Sequence, residues 1–362
     1  MLFPRLFFAS ILLAASTTAS AGGLDLSGQS VTFMHKTGSF ASYAEKYIEP
    51  HITGRDLLTG DSIEDVHQLQ VARSMVLKAQ LNPKWSVGLV YDNPYGANVK
   101  YQTDGTYKGV TARVKSRAVT ALVGYEPIEN LKLTAGIKHQ VLKGNIALPY
   151  INSFTMRIPE TEGLGYVVGA SYAVPKYAFR ASIDYHTKVE YDFTRYESGG
   201  ALACATNTTS TTKSIFPDAF NFRVQSGVMD NTMLFAYARL AQNDRMKIRA
   251  ACLNEASLTS FKDSKNFSVG AAHRWTEDFS STLAYSWQGR TQPSVSSSPL
   301  TPTNGKKTAS LNLRYVYKNL ELSGSLSRVY LGDDVAGSGA VYVATFKNNT
   351  AWIGGLKVKV NF

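Results

Sequence analysis

The sequence predicts an all-β fold: a transmembrane antiparallel β-barrel of about 14 strands with a short N-terminal plug in its lumen. Three observations predict it. The N-terminus resembles an export signal, apolar and polar residues alternate over strand-length segments, and tight turns alternate with longer polar loops. In a bilayer, such alternation places apolar side chains toward lipid and polar ones toward a wet interior.

The N-terminus predicts a signal peptide over residues 1–21. A basic start, Met1–Arg5, precedes an apolar run, Leu6–Ala15, and an A-x-A cleavage motif, Ala19–Ala21. The apolar run is too short to span a bilayer as a helix. Cleavage after Ala21 would leave 362 − 21 = 341 residues. An uncleaved anchor or a buried helix is the alternative.

The C-terminal segment Thr350–Phe362 has the clearest alternation. Trp352, Leu356, Val358, Val360 and Phe362 fall on one face of a strand, and Lys357, Lys359 and Asn361 on the other. Reading strands between the turn signals gives 39–54, 66–80, 84–101, 109–124, 131–146, 163–174, 177–194, 214–228, 232–246, 264–275, 279–291, 307–317, 320–331 and 350–362. The barrel therefore covers residues 39–362, and residues 22–38 remain as a short plug. A soluble β-sandwich also alternates, but its strands are shorter.

Composition and motifs argue against several other functions. The formal charge of +11, or +10 without Arg5, occurs with no nucleic-acid motif, so anionic lipid head groups or an anionic solute are the better partners. The six histidines are well separated and form no metal-ligand spacing. No G-x-S-x-G elbow and no P-loop is present. We therefore expect no enzyme, metal or cofactor, although an outer-wall phospholipase could be hidden in such a sequence.

The two cysteines, Cys204 and Cys252, fall in polar loops that the barrel places on the same side of the membrane. Export permits a disulfide between them. The sequence leaves open a bridge and two unpaired thiols alike.

Asn93-Pro94-Tyr95-Gly96 is the sharpest local feature because it lies inside a strand pattern. Proline cannot donate a hydrogen bond to the ladder, and glycine marks bulges or close approach. We expect these residues to interrupt the pairing of the third strand. A simple bulge at the strand end is the alternative.

Basic residues on polar strand faces predict sites for an anionic group in the lumen. The candidates for binding a carboxylate are Arg113, Lys132, Lys138, Arg223, Arg314 and Lys357. The alternative is that these cations are solvated or paired with inward-facing acids.

Several segments in colinear order resemble the FadL/TodX family of outer-membrane transporters of long-chain fatty acids and other hydrophobic compounds. Lys84–Gly96 looks like the family's third strand, and Leu164–Tyr172 followed by Thr187–Phe193 looks like the strands ahead of its large fourth loop. Phe216–Phe220 and Phe261–Gly270 are similar to two further strand entries. The chain departs from the family in its N-terminal hatch, which is short and lacks an Asn-Pro-Ala element.

The resemblance implies passive import of a hydrophobic small molecule, such as a long-chain fatty acid, through the outer membrane of a Gram-negative bacterium. It also implies a lateral opening at Asn93–Gly96. Outer-membrane lipid, lipopolysaccharide and, through Phe362, the outer-membrane assembly machinery are the other expected partners. A water-filled porin and a structural or adhesive barrel remain as alternatives.

Overall fold

Fourteen antiparallel strands form a closed barrel in the computed structural model, which describes residues 24–290, 297–338 and 341–362. The strands are β1 (Phe40–His51), β2 (Gln70–Gln80), β3 (Trp85–Asp92 and Gly96–Lys100), β4 (Thr111–Ile128), β5 (Leu131–Leu148), β6 (Phe154–Val174), β7 (Phe179–His186 and Val189–Gly199), β8 (Cys204–Phe216 and Ala219–Met229), β9 (Thr232–Ala241), β10 (Ser264–Arg274), β11 (Phe279–Gln288), β12 (Lys306–Tyr317), β13 (Leu320–Leu331) and β14 (Thr350–Asn361). β1 pairs with both β2 and β14, which closes the sheet. The predicted fold class and strand number are confirmed.

The outer face of the barrel is apolar. In β5, Leu133 and Ile137 are exposed, whereas Thr134 and Lys138 on the opposite face are buried. The same holds in β11, where Leu283 is exposed and Thr282 is buried. Many large apolar side chains are exposed in this way on most of the strands. A continuous apolar surface of this size fits a hydrocarbon surround rather than water.

Three strands extend well beyond their predicted bounds. Residues 154–162 lengthen β6, residues 195–199 lengthen β7 and residues 204–213 lengthen β8, all in stretches that the sequence left between predicted strands. The upper part of β8 is rich in Thr and Ser on both faces, for example at Thr208–Thr212. Both faces are polar there, so the sequence contains no apolar alternation that would mark a strand. The paired strands continue past the apolar band as a hairpin of β7 and β8.

Loops close the end of the barrel where the longer connections lie. Gly54–Asp56, Ser62–Ile63, Asp334–Ser338 and Val341–Phe346 form a small four-stranded sheet there. Cys204 and Cys252 form a disulfide, so the start of β8 is tied to the connection between β9 and β10. Among the described residues, no helix is long and apolar enough to cross a bilayer.

The N-terminal segment occupies the lumen. Residues 24–38, which include the short 3-10 turn Thr32–His35, pack Val31, Phe33 and Met34 against inward-facing side chains of the barrel. We call residues 24–38 the plug. The predicted signal peptide, residues 1–21, lies outside the described residues.

Candidate functional site: a luminal cavity beside an interrupted strand

β3 is interrupted at Asn93, Pro94 and Tyr95. On the β4 side the ladder reaches Asp92↔Ala118 and resumes at Gly96↔Lys115. Residues 93–95 therefore face only residues 116–117, which is a bulge with one extra residue. Pro94 has no N–H to contribute, in keeping with its place in a bulge.

On the other side of β3, the ladder with β2 stops at the same level. It runs from Gln80↔Ser86 to Ser74↔Asp92, and backbone pairing resumes where Gln68 N donates to Asn98 O at 3.1 Å and His67 lies opposite Val99. Over residues 69–73 and 93–97 the wall has no ladder in the described structure. We call this stretch the wall gap.

The side chain of Asn93 spans the wall gap. Its Nδ2 donates to the carbonyl of Ser116 in β4 at 2.9 Å, and its Oδ1 accepts the backbone N–H of Arg73 in β2 at 2.9 Å. One amide group therefore replaces part of the missing backbone ladder between the two neighbouring strands.

The plug pairs with the interrupted residues from inside. Leu26 N donates to Pro94 O and Gly96 N donates to Leu24 O, both at 2.8 Å, with Asp25 opposite Tyr95. Backbone groups that have lost their partner in β2 thus find partners in the plug, as buried amides require.

Ion pairs and hydrogen bonds anchor the plug to the lumen wall. Arg239 in β9 forms an ion pair with Asp25 at 2.8 Å and donates to Gly28 O at 3.2 Å. Gln29 donates to the Tyr95 hydroxyl at 3.1 Å and accepts from Lys138 at 2.6 Å. Two of the luminal cations, Arg239 and Lys138, therefore already have partners in the plug and need no ligand to satisfy them.

Five of the six predicted carboxylate-binding residues fall into three groups. Lys132 and Lys138 donate to plug atoms, at Met34 O and Gln29 Oε1. Arg223 forms an ion pair with Asp184 at 2.6 Å, and Arg314 one with Glu321 at 3.0 Å. Lys357 faces a luminal cavity.

The sixth candidate, Arg113, does not face the lumen. It lies on the exposed face of β4, while Ala112 and Val114 beside it are buried beneath the loops. With 18 residues, β4 is far longer than the apolar band requires. Beyond that band water lies outside the barrel and packed loops lie inside, so the polar face turns outward. The predicted luminal position of Arg113 is wrong for this reason.

A luminal cavity of about 180 Å³ lies between the plug, β1–β3 and β12–β14. Part of its lining is apolar and part is ionic; the side chains that matter here are Phe33, Val76, Val90, Arg314, Lys357 and Asp92. Arg73 and Asn93 also line it, so the cavity reaches the wall gap. It can accommodate a molecule with an apolar body and an anionic end.

Cations outnumber acids at one end of this cavity. Arg314 and Lys359 share Glu321, with Lys359 at 3.1 Å, and Arg314 Nε has no hydrogen-bond partner in the described structure. Lys357 forms no ion pair with any described residue. Burial lowers the pKa of the plug's Lys36 well below its ordinary value, and the charge of Lys357 acts in the same direction. An added carboxylate would relieve this excess of positive charge.

Sequence reasoning missed one polar group. Glu45 and Arg73, at 2.7 Å from each other, lie on outward-facing positions of β1 and β2. The available signal was Glu45, a charged residue that shares one face of the predicted first strand with Tyr43 and Tyr47.

No group of three or more His, Cys, Asp or Glu side chains suited to a metal ion occurs in the described part of the chain.

No protein-family model and no curated protein matches the sequence. Solved structures do match. A Pseudomonas aeruginosa FadL homologue superposes with a TM-score of 0.75 at 13% identity over 91% of this chain and 92% of that chain. The Pseudomonas putida toluene transporter TodX gives 0.68 at 11% identity, with 97% and 98% covered. The Ralstonia pickettii toluene transporter TbuX gives 0.62 at 12% identity, with 96% and 97% covered.

The chain has the FadL/TodX fold. The similarity suggested by the short colinear segments of sequence is confirmed at the level of the fold. Within the FadL/TodX fold, the plug, the cavity and the wall gap described above form one continuous site.

Proposed function

We propose that the chain is an outer-membrane channel for passive uptake of hydrophobic compounds, with long-chain fatty acids as substrates and a lateral exit at Asn93–Gly96. One observation carries the proposal. A cavity that is apolar on one side and cationic on another lies against the stretch where β2 and β3 have no ladder. The toluene transporters TodX and TbuX, named for a hydrophobic compound, share the fold and support the same class of substrate.

In this proposal the two parts of the cavity hold the two parts of the substrate. Phe33, Val76 and Val90 contact the acyl chain, and Lys357 and Arg314 bind the carboxylate by charge-assisted hydrogen bonds. The cavity is smaller than an extended fatty acid, so the tail continues toward the wall gap.

The direction of exit follows from the hydrophobic effect. Each CH₂ that stays out of water contributes about 0.8 kcal/mol, so a long acyl chain leaves sideways into lipid far more readily than into the periplasm. No nucleotide is needed for such a downhill path. The missing ladder at residues 69–73 and 93–97 supplies a place where few backbone hydrogen bonds oppose passage.

The outer surface fits a Gram-negative outer membrane. Exposed apolar side chains cover the strands, and the outward cation Arg113 of β4 lies beyond the apolar band, where lipopolysaccharide phosphates would contact it. Export by a signal peptide cleaved after Ala21, and assembly through the exposed C-terminal Phe362, are parts of the same proposal.

A reversible lock across the wall gap tests the exit. In an Arg73→Cys/Asn93→Cys variant the cysteines occupy the first positions beyond the last ladder pair, Ser74↔Asp92, where the backbone of residue 73 and the side chain of residue 93 are hydrogen-bonded in the wild type. We expect oxidation to lower oleate uptake by proteoliposomes at least ten-fold and reduction to restore it. Each variant serves as its own reference, so loss of Arg73 does not confuse the comparison.

The matched control is Met75→Cys/Tyr91→Cys, which links the same two strands where they are already paired. Its uptake should not change on oxidation, nor should that of the wild type under the same reductant. Equal oleate uptake by the locked and unlocked gap variant would refute the lateral exit. Rapid swelling of wild-type liposomes in sucrose, without oleate uptake, would instead identify a water-filled porin.

A further inference from the structure

An ion pair lies on the lipid-facing side of the barrel. Glu45 of β1 and Arg73 of β2 are directly opposite each other in the ladder, with Arg73 Nε 2.7 Å from Glu45 Oε1. Met75 and Leu77 continue the same outward face of β2 and are exposed. Charged side chains are costly at such positions, and those that persist are usually functional.

The carboxylate of Glu45 has partners besides Arg73. The Tyr43 hydroxyl donates to Oε1 and the Tyr47 hydroxyl donates to Oε2, both at 2.5 Å. Since alternate residues of a strand share a face, the two tyrosines flank Glu45 on the outer wall. Glu45 would therefore keep two hydrogen bonds even if the guanidinium turned away.

The pair lies at the edge of the wall gap. Arg73 is the first residue of β2 beyond the last ladder pair, Ser74↔Asp92, and Asn93 accepts its backbone N–H. Arg73 and Glu45 also line the luminal cavity that contains Lys357. The same guanidinium thus borders both the cavity and the lipid.

We propose that Arg73 is a second carboxylate site, at the outer mouth of the wall gap, which selects acidic amphiphiles over neutral ones. This inference rests on the lateral exit proposed above. A departing carboxylate moves from Lys357 to the Arg73 guanidinium, whose planar array of N–H donors matches a carboxylate. Glu45 is the resident counter-ion that the substrate replaces, and Tyr43 and Tyr47 keep it hydrogen-bonded meanwhile.

Two substrates with the same chain separate this role from a structural one. Proteoliposome uptake of oleate and of oleyl alcohol is measured for the wild type and for Arg73→Met. We expect oleate uptake to fall at least ten-fold and oleyl alcohol uptake to stay within two-fold. Glu45→Gln, which removes the competing carboxylate, should leave oleate uptake at or above the wild-type level.

Arg117→Met is the matched control. Arg117 is also an outward arginine in an ion pair, with Glu160 at 2.9 Å, and its side chain is 53% exposed against 55% for Arg73. It lies on β4 opposite the interrupted residues of β3 but does not line the luminal cavity, so its loss should change neither uptake. The double variant Glu45→Gln/Arg73→Met leaves no unpaired charge in the wall, and it should show the same selective loss of oleate.

The outcomes distinguish the two proposals. An equal loss of both substrates in the folded double variant would mean that the pair only holds β1 to β2, and unchanged oleate uptake would remove Arg73 from the route. Either result overturns the inference while wild-type transport stands. A wild type that carries neither substrate would overturn the proposed function itself.

Discussion

Leu26 fills the space that a β-carbon on Gly96 would need. Its Cδ1 atom lies 2.6 Å from that position, which is closer than two carbon atoms can approach. Gly96 therefore permits the plug to lie directly against the interrupted strand, where Gly96 N donates to Leu24 O. Gly96, which marks a strand break in the sequence, is thus also the residue against which the plug packs.

Replacing Gly96 with valine should displace the plug. Its side chain meets Leu26 Cδ1 and Gln70 Oε1, so the Leu26 side chain must leave its place against β3 and the plug loses that contact. We expect a several-fold increase in single-channel conductance in planar bilayers. The control is Gly354→Val, because a β-carbon at Gly354 meets no atom within 4 Å. An unchanged conductance in Gly96→Val would show that the plug does not limit the aqueous path.

The strand pattern could be predicted from the sequence wherever one face meets lipid. Leu356 and Val358 alternate with Lys357 within the apolar band, and the structure puts Lys357 toward the lumen as expected. Arg113 alternates with valine and alanine just as regularly, yet it faces outward. Alternation along a strand separates its two faces. Which face points into the barrel depends on the position of the residue along the barrel axis, and no local sequence pattern records that position.

The site was less predictable than the barrel because it depends on contacts distant in sequence. Pro94 and Gly96 do mark the interruption of β3. Nothing local indicates that Gln29 would bind Lys138, 109 residues away, or that Asp25 would pair with Arg239. These partners are decided by the closing of the barrel around the plug.

Arg239 should be the main ionic anchor of the plug. It is buried, and it contacts Asp25 and the carbonyl of Gly28. We expect Arg239→Met to destabilise the plugged state by about 2 kcal/mol or more, because Asp25 loses its charged partner. Hydrogen exchange of plug amides in detergent micelles, followed by mass spectrometry, measures this as faster exchange at residues 24–30.

A double-mutant cycle controls for lost packing. Asp25→Asn alone should also speed exchange, and adding it to Arg239→Met should have little further effect, since the pair is already broken. Strictly additive effects would show that Arg239 acts through Gly28 or packing rather than through Asp25.

The Cys204–Cys252 disulfide should stabilise the loops rather than the barrel. It closes a separation of 48 residues, and such crosslinks typically contribute about 2–4 kcal/mol. We expect Cys204→Ala/Cys252→Ala to make Arg249, in the loop beside Cys252, sensitive to trypsin while heat-modifiable migration of the barrel on gels stays unchanged. Two titratable thiols in the denatured wild type without reductant would contradict the bond.

Lys357 should carry most of the carboxylate affinity of the cavity. It lines the cavity and forms no ion pair with a described residue, and charge-assisted hydrogen bonds contribute about 1.5–3 kcal/mol. Lys357→Met should therefore weaken oleate binding at least ten-fold, measured by calorimetry in a non-ionic detergent, and should leave the affinity for oleyl alcohol within two-fold.

The exposed Lys307, on the outer face of β12, is the control, and Lys307→Met should bind both ligands like the wild type. Equal weakening of oleate and oleyl alcohol would assign Lys357 to packing, and no weakening would place the carboxylate elsewhere in the lumen.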